Sequence, residues 1–271
     1  MAGINRLEAD VGALNWTSAI SEIAPNTIRL RGYPVEELMG RVSYAEAVYL
    51  ALMGELPDTA TGTIINAILV SSIDHGTTPP SVLSTVTVAS TGAPLGSAVA
   101  AGILSISKFH GGAIEDCMGA IGEALNCAKT DKLSFDDAAA KTFEAFKARK
   151  QRISGFGHRL HTQDPRTVRL LSLVEELGKA GDGIQMARAI EAAIERSTGK
   201  QLPLNVDGAI AAVLVDLGIP SALANAFFMI ARLPGLVAHA HEEQARQRPM
   251  RKIHPTDVTY DGPAVRHLSK T

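Results

Sequence analysis

Apolar residues in this 271-residue chain recur three and four positions apart and do not alternate with polar ones, and that period commits the chain to helices rather than sheet. Alanine is abundant and aromatic side chains make up only 4% of the residues, which reinforces the helical reading. We therefore expect an all-α fold, with interior enough for one enzyme unit built from two lobes. Ser43-Tyr44-Ala45-Glu46 is a capping-box pattern ahead of an apolar run that stops at Gly54 and Pro57. Ser134-Phe135-Asp136-Asp137 opens a helix running through Phe143 towards Lys147. Further helices are expected over 63–73, 81–90, 94–109, 165–177, 185–198, 204–217 and 221–232, the last continuing through His241 to Arg246. The small residues of 94–109 suit close contact in a core.

Composition excludes some functions. The 26 basic and 28 acidic residues leave a formal charge of -2, so no global field marks out nucleic acid or an anionic membrane as partner. Charge recognition must be local. Cys117 and Cys127 lie in an Ala-rich helical pattern without metal-type spacing, which fits a reduced, cytoplasmic setting and buried packing. The opening MAGINRLEADVGALNW carries acids and no apolar run, unlike a secretory signal, and no uncharged stretch reaches the length of a membrane span.

Polar information gathers in four loops: Asp74-His75-Gly76, His110-Gly111-Gly112, residues 154–166, and Arg248-Pro249-Met250-Arg251. Each pairs His or Arg with residues that turn the chain. Glycine lets the backbone turn tightly and approach a ligand, so a His beside paired glycines is better placed for chemistry than one on a helix face. His239 and His241 with Glu242 and Glu243 resemble a metal set, but residues two apart on a helix diverge, and helix surface is the reading. We expect no metal. Gly111-Gly112 and Gly92-Ala93-Pro94 lack the spacing of a dinucleotide turn or a phosphate-binding Lys-Ser/Thr ending.

GFGHR at 155–159, followed by Asp164-Pro165-Arg166, resembles the signature of the citrate synthase superfamily. RGYPVEELMGRVSYAEAVYLALMGELP, FHGGAIED, NVDGAIAAVLVDLGIP, ARLPGLVAHAHEEQ and RPMRK resemble further blocks of that family, in the family's order and over nearly the whole chain. DHGTTPPS, ISGFGHRLH and HPTDVTYDGP resemble its short citryl-CoA lyase branch, which is also the carboxyl-terminal module of ATP-citrate lyase. Two departures keep the synthase reaction open: His110 stands where that module lacks a histidine, and Ile114 stands where synthases usually place Asn. The resemblance implies a large helical lobe from 1–112 and 213–271, a smaller one from 113–212, and an active site in the cleft that closes over substrate.

The resemblance also implies roles. Condensing acetyl-CoA with oxaloacetate, or cleaving citryl-CoA, needs a group to move a methyl proton, donors for the enolate oxygen, and a group to exchange the hydroxyl proton. By family position these are Asp207, His110 and His158. Taken alone, Asp207 after Asn205-Val206 reads as a helix cap. Arg166, Arg232 and Arg248 are implied as anchors for a polycarboxylate, with Arg159 and His75 beside them, because guanidinium groups grip two oxygens at once. Arg248 is implied to reach into a partner's site, hence a homodimer, although Arg251 competes for that role. Arg152, Gly155 and Gly157 are candidates for the coenzyme A thioester, which is a substrate; no tightly bound cofactor is expected. The run from Lys147 to Arg152 reads equally as an ordinary polar helix end.

Citryl-CoA lyase is the favoured function, with a citryl-CoA-forming ligase as natural neighbour. Citrate or methylcitrate synthase is the alternative. A non-catalytic acyl-CoA-binding homologue is the third reading, and retention of His110, His158 and Asp207 together argues against it.

Overall fold

The computed structural model describes residues 17–157 and 162–251. Residues 1–16, 158–161 and 252–271 lie outside the described residues, and with them His158, Arg159 and the HPTDVTYDGP phrase. In chain order the elements are β1 (Ser21–Ala24), β2 (Thr27–Leu30), β3 (Tyr33–Pro34), α1 (Val35–Leu38), α2 (Tyr44–Met53), α3 (Thr59–Ser71), α4 (Pro80–Ser90), α5 (Leu95–Leu104), α6 (Ala113–Asp131), α7 (Phe135–Ala148), α8 (Pro165–Glu176), α9 (Asp182–Thr198), α10 (Val206–Asp216) and α11 (Ala224–Arg246), with a 3-10 turn at Ser221–Leu223.

The described residues divide into two compact units. One comprises the chain up to Ser71 together with Ala113–Phe228; the other comprises Ser72–Gly112 and the chain from Met229 onward. The boundary after Phe228 falls inside α11.

The first unit opens with a small antiparallel sheet in the order β1-β2-β3. Its second turn, Arg31-Gly32, has φ of 51° and 87°, the paired positive values that suit a tight hairpin. Strands of four residues or fewer are too short to betray themselves by alternation. The guanidinium of Arg31 donates to the carbonyl of Ala51 from Nε (3.2 Å) and Nη2 (2.8 Å), placing a cation at the carboxyl end of α2. The capping box of α2 is formed: Ser43 Oγ accepts from the Glu46 amide and Glu46 Oε2 accepts from the Ser43 amide. Helix α3 begins a turn earlier than its apolar period indicated, because Asp58 accepts from the Thr61 amide at 2.8 Å.

Helix α10 is the centre of this unit. Residues from Gly208 to Leu214 are buried without a break, and α6, α8 and α9 pack against it. A helix apolar all round can only be an interior helix. Its two charged residues, Asp207 and Asp216, sit at its ends. Asp216 accepts from the amides of Gly181, Gly183 and Ile184 and so holds the start of α9.

In the second unit α4 and α5 pack together with α11 around Val82, Val86, Ala89, Ala98, Val99, Leu236 and Ala240. Close approach is built in at Gly102, where a Cβ would lie 2.0 Å from Thr85 Oγ1 and 2.9 Å from Leu236 Cδ1. Helix α5 stops at Leu104 rather than 109. The next residues form their own tight loop, in which Ser107 and His110 exchange two backbone hydrogen bonds of 2.8 Å and Gly111 takes φ 85°. Among the described residues one helical stretch, Ser221–Arg246, is long and apolar enough by composition to cross a membrane, and 39% of its apolar window is buried inside the protein. It also carries Arg232 and Glu243, both nearly inaccessible.

Candidate active site

Asp207 lies half-buried in the first turn of α10. The cap of that helix is Asn205, whose Oδ1 accepts from the Gly208 amide at 3.1 Å, so the capping reading of Asp207 gives way. Asn205 also ties down the glycine loop. Its amide donates to Gly155 O (3.0 Å), its Nδ2 donates to Gly157 O (2.9 Å), and the Gly157 amide donates to Pro203 O (2.7 Å). Both glycines need their residue type: Gly155 has φ 90° and Gly157 φ 83°. A Cβ on Gly155 would lie 2.7 Å from both Cys117 Sγ and Gly208 Cα, and one on Gly208 would lie 2.3 Å from Gly155 O. The structure thus brings Gly155, Gly157 and Asp207 together, in the segment directly preceding His158. Burial, with the nearby charge of Asp207, pushes the Cys117 thiol far above its ordinary range, so it stays protonated packing material.

His110 and Arg232 both belong to the second unit. Ser81 Oγ lies 2.8 Å from His110 Nε2, and the Ser81 amide, in the first turn of α4, points at the same nitrogen from 3.4 Å. An amide N–H can only donate, so Nε2 is the acceptor and the ring proton sits on Nδ1. Burial and the positive charge of Arg232 hold the imidazole below its ordinary pKa, which favours this neutral donor. Arg232 is 2% exposed, and its Nε donates to Ser72 O at 3.0 Å. Sequence reasoning missed Ser81; its signal was the Pro79-Pro80-Ser81 helix start.

His75 lies exposed in the loop between α3 and α4. Beside it Asp74 accepts from the Gly76 amide (3.0 Å) and bonds His239 Nε2 (3.0 Å). Burial opposes ionisation of Asp74, but the Gly76 amide and His239 outweigh it and hold its pKa below the usual value. His239 is therefore not the surface group its sequence position indicated; its side chain is only 15% exposed. Among the described residues no cluster of His, Cys, Asp and Glu is arranged to hold a metal ion.

Both arginines beyond α11 are exposed, and Arg251 pairs with a buried carboxylate. Arg251 donates to both oxygens of Glu243, at 2.6 and 2.5 Å, and Glu243 is 4% exposed. Arg251, Glu243, His239, Gln247, Thr77 and Thr78 line a cavity of about 590 Å³ within this unit. Among the described residues, none of the expected site residues lines a cavity of about 760 Å³ in the first unit, where Glu175, Glu191 and Glu195 stand with Arg188.

Arg166, like Arg251, is held by a buried carboxylate. Arg166 Nε and Nη2 donate to the buried Asp164 carboxylate at 3.0 and 2.8 Å, and Nη1 reaches Ser71 O at 3.4 Å. In the basic run, Lys147 pairs with Glu144, while Arg149 pairs with Glu123 and stacks on Phe146. Arg152 is exposed, apart from these pairs.

The family model for the citrate synthase C-terminal domain matches residues 58–255, and the chain belongs to the citrate synthase family. Citryl-CoA lyase from Hydrogenobacter thermophilus is 39% identical and superposes with a TM-score of 0.85 over 94% of this chain and 97% of that one. ATP citrate lyase from Methanothrix soehngenii, solved with citrate and coenzyme A, has a TM-score of 0.78 over 93% of this chain and 42% of its own; at 22% identity the likeness is one of fold. Citrate/2-methylcitrate synthase of Bacillus subtilis is 32% identical over 228 residues, 82% of this chain and 57% of its own length. The chain thus spans little more than half of that curated relative.

Proposed function

We propose that this protein is a citryl-CoA lyase, cleaving citryl-CoA to acetyl-CoA and oxaloacetate. The observation that carries the reading is the 39% identity to a citryl-CoA lyase over nearly the whole of both chains. The local geometry supports it. A neutral His110 offers an N–H to the thioester oxygen, where negative charge develops as the carbon–carbon bond breaks, and a neutral donor costs no proton transfer at that point. His158 takes the proton of the tertiary hydroxyl, the hydroxyl carbon becomes the ketone of oxaloacetate, and the bonding pair passes into the thioester as an enolate. Asp207 then delivers a proton to the enolate carbon, giving acetyl-CoA.

Arg232 offsets charge on the diacid from a buried position, with Arg166, His75 and one of Arg248 and Arg251 completing its recognition. The thioester is substrate, and the scheme requires no tightly bound cofactor. The protein works as a cytoplasmic homodimer, supplied by a ligase that forms citryl-CoA.

Incubating purified protein with citryl-CoA tests this: oxaloacetate and acetyl-CoA should accumulate together. Citrate and free CoA in their place would reject the lyase reading. The similarity to the Bacillus subtilis enzyme keeps one alternative, a condensing enzyme, whose mark is CoA release from acetyl-CoA or propionyl-CoA plus oxaloacetate.

A further inference from the structure

We propose that His239 is a positioning residue for His75, acting through the carboxylate of Asp74; the proposal rests on the reading of His75 as a substrate ligand. Three residues on one face of α11 grip three consecutive residues of the loop that carries His75. Arg232 Nε donates to Ser72 O at 3.0 Å. Gly235 lies so close to the next residues that a Cβ there would be 2.3 Å from Ile73 O and 3.1 Å from Asp74 Oδ1. His239 Nε2 is 3.0 Å from Asp74 Oδ1. Spacings of three and four along a helix put these side chains on one stripe, so the loop lies along the helix in register.

Asp74 then passes the constraint on. Its second oxygen accepts from the Gly76 amide at 3.0 Å, and the His75 amide also donates to the carboxylate. Gly76 takes φ 76°, closing the turn. The main chain on both sides of His75 is thus fixed by one carboxylate, and that carboxylate is fixed to the helix by His239. Asp74 is 39% exposed while the His239 side chain is 15% exposed, so the helix supplies the rigid half of the pair. His239 and His241 diverge on the helix, and Glu242 pairs with Arg246.

The full chain is tested as wild type, H239L, H239Q, H75A and H75A/H239L. Loss of the outer partner of a ligand-holding group should raise KM for citryl-CoA about tenfold in H239L, with kcat within about twofold. H239Q, whose side-chain N–H can reach Asp74, should recover most of the loss. H75A/H239L should be no worse than H75A, because the two act on one contact. A wild-type KM in H239L, or additive losses in the double variant, overturns the proposal. Amide exchange supplies a reading independent of activity: Gly76 should exchange faster in H239L while α4 and α5 amides keep their protection. Unchanged Gly76 exchange overturns the clamp. Faster exchange in a protein that does not cleave citryl-CoA sinks the lyase reading alone. If H239L fails to fold, H239N, which is too short to reach Asp74, takes its place with the same expected changes.

Discussion

Replacing Gly155 by alanine should damage stability and site together, and the size of the effect follows from two separate costs. At φ 90° an L-residue sits in the left-handed region, which costs about 1–2 kcal/mol. The added Cβ would also lie 2.7 Å from both Cys117 Sγ and Gly208 Cα. The sulfur belongs to a buried side chain and the Cα to the backbone of α10, so neither gives way cheaply, and overpacking of this kind costs about 1–3 kcal/mol. Together, about 3 kcal/mol should lower Tm by roughly 6–12 °C. Gly199→Ala is the control: it too has positive φ, at 66°, but a Cβ there meets nothing within 4 Å, so only the conformational cost remains. Thermal unfolding of both variants by calorimetry separates the two terms. Turnover should fall in G155A and not in G199A, since Gly155 O accepts the Asn205 amide and Asn205 caps the helix that carries Asp207. A Tm loss in G155A no larger than in G199A would refute the packing argument.

Other perturbations probe other parts of the account. Lys179 and the Thr61 amide hold the Asp58 carboxyl at about 2 against an ordinary 3.8, so its stabilisation is present above pH 3.8 and is lost as pH falls towards 2; D58N should flatten the acid limb of the unfolding curve over that window. His110 should titrate below 6.5, because burial and Arg232 both oppose its charge. Stability linked to this group therefore falls as pH drops below 6.5, and in NMR titrations R232L should raise its midpoint without restoring 6.5, burial being the larger cause. R251A leaves the buried Glu243 carboxylate uncompensated and should cost about 1–3 kcal/mol in denaturant unfolding. R248A, at an exposed position, should stay within about 0.5 kcal/mol of wild type.

What was legible in the sequence was mostly local. The Ser43/Glu46 box, the Ser134 cap and the start of α8 at Asp164-Pro165 are settled by residues two or three apart, and all form as read. The unbroken burial of α10 also follows from its residues. What holds each loop that the family blocks named comes from far along the chain. Ser81 meets His110 across 29 residues and Asp74 meets His239 across 165, separations at which spacing carries no information. Asn205 took the cap that its neighbour Asp207 was credited with, a choice of backbone angle that either residue type could have filled. The last turn of the 94–109 run was lost because Ser107 and His110 bond to each other instead of continuing the helix. Arg248 and Arg251 are three residues apart in an apparently equivalent motif, and only the buried Glu243 tells them apart.

The central claim, that Asp207 delivers a proton to the carbon released from citryl-CoA, is tested most directly by following cleavage in D₂O with wild type and D207N. Asn205 keeps its capping bonds in the variant, so the helix start is preserved. The account predicts oxaloacetate and acetyl-CoA bearing solvent deuterium in its methyl group from the wild type, and a rate at least about 10²-fold lower in D207N. Cleavage by D207N at the wild-type rate would contradict it.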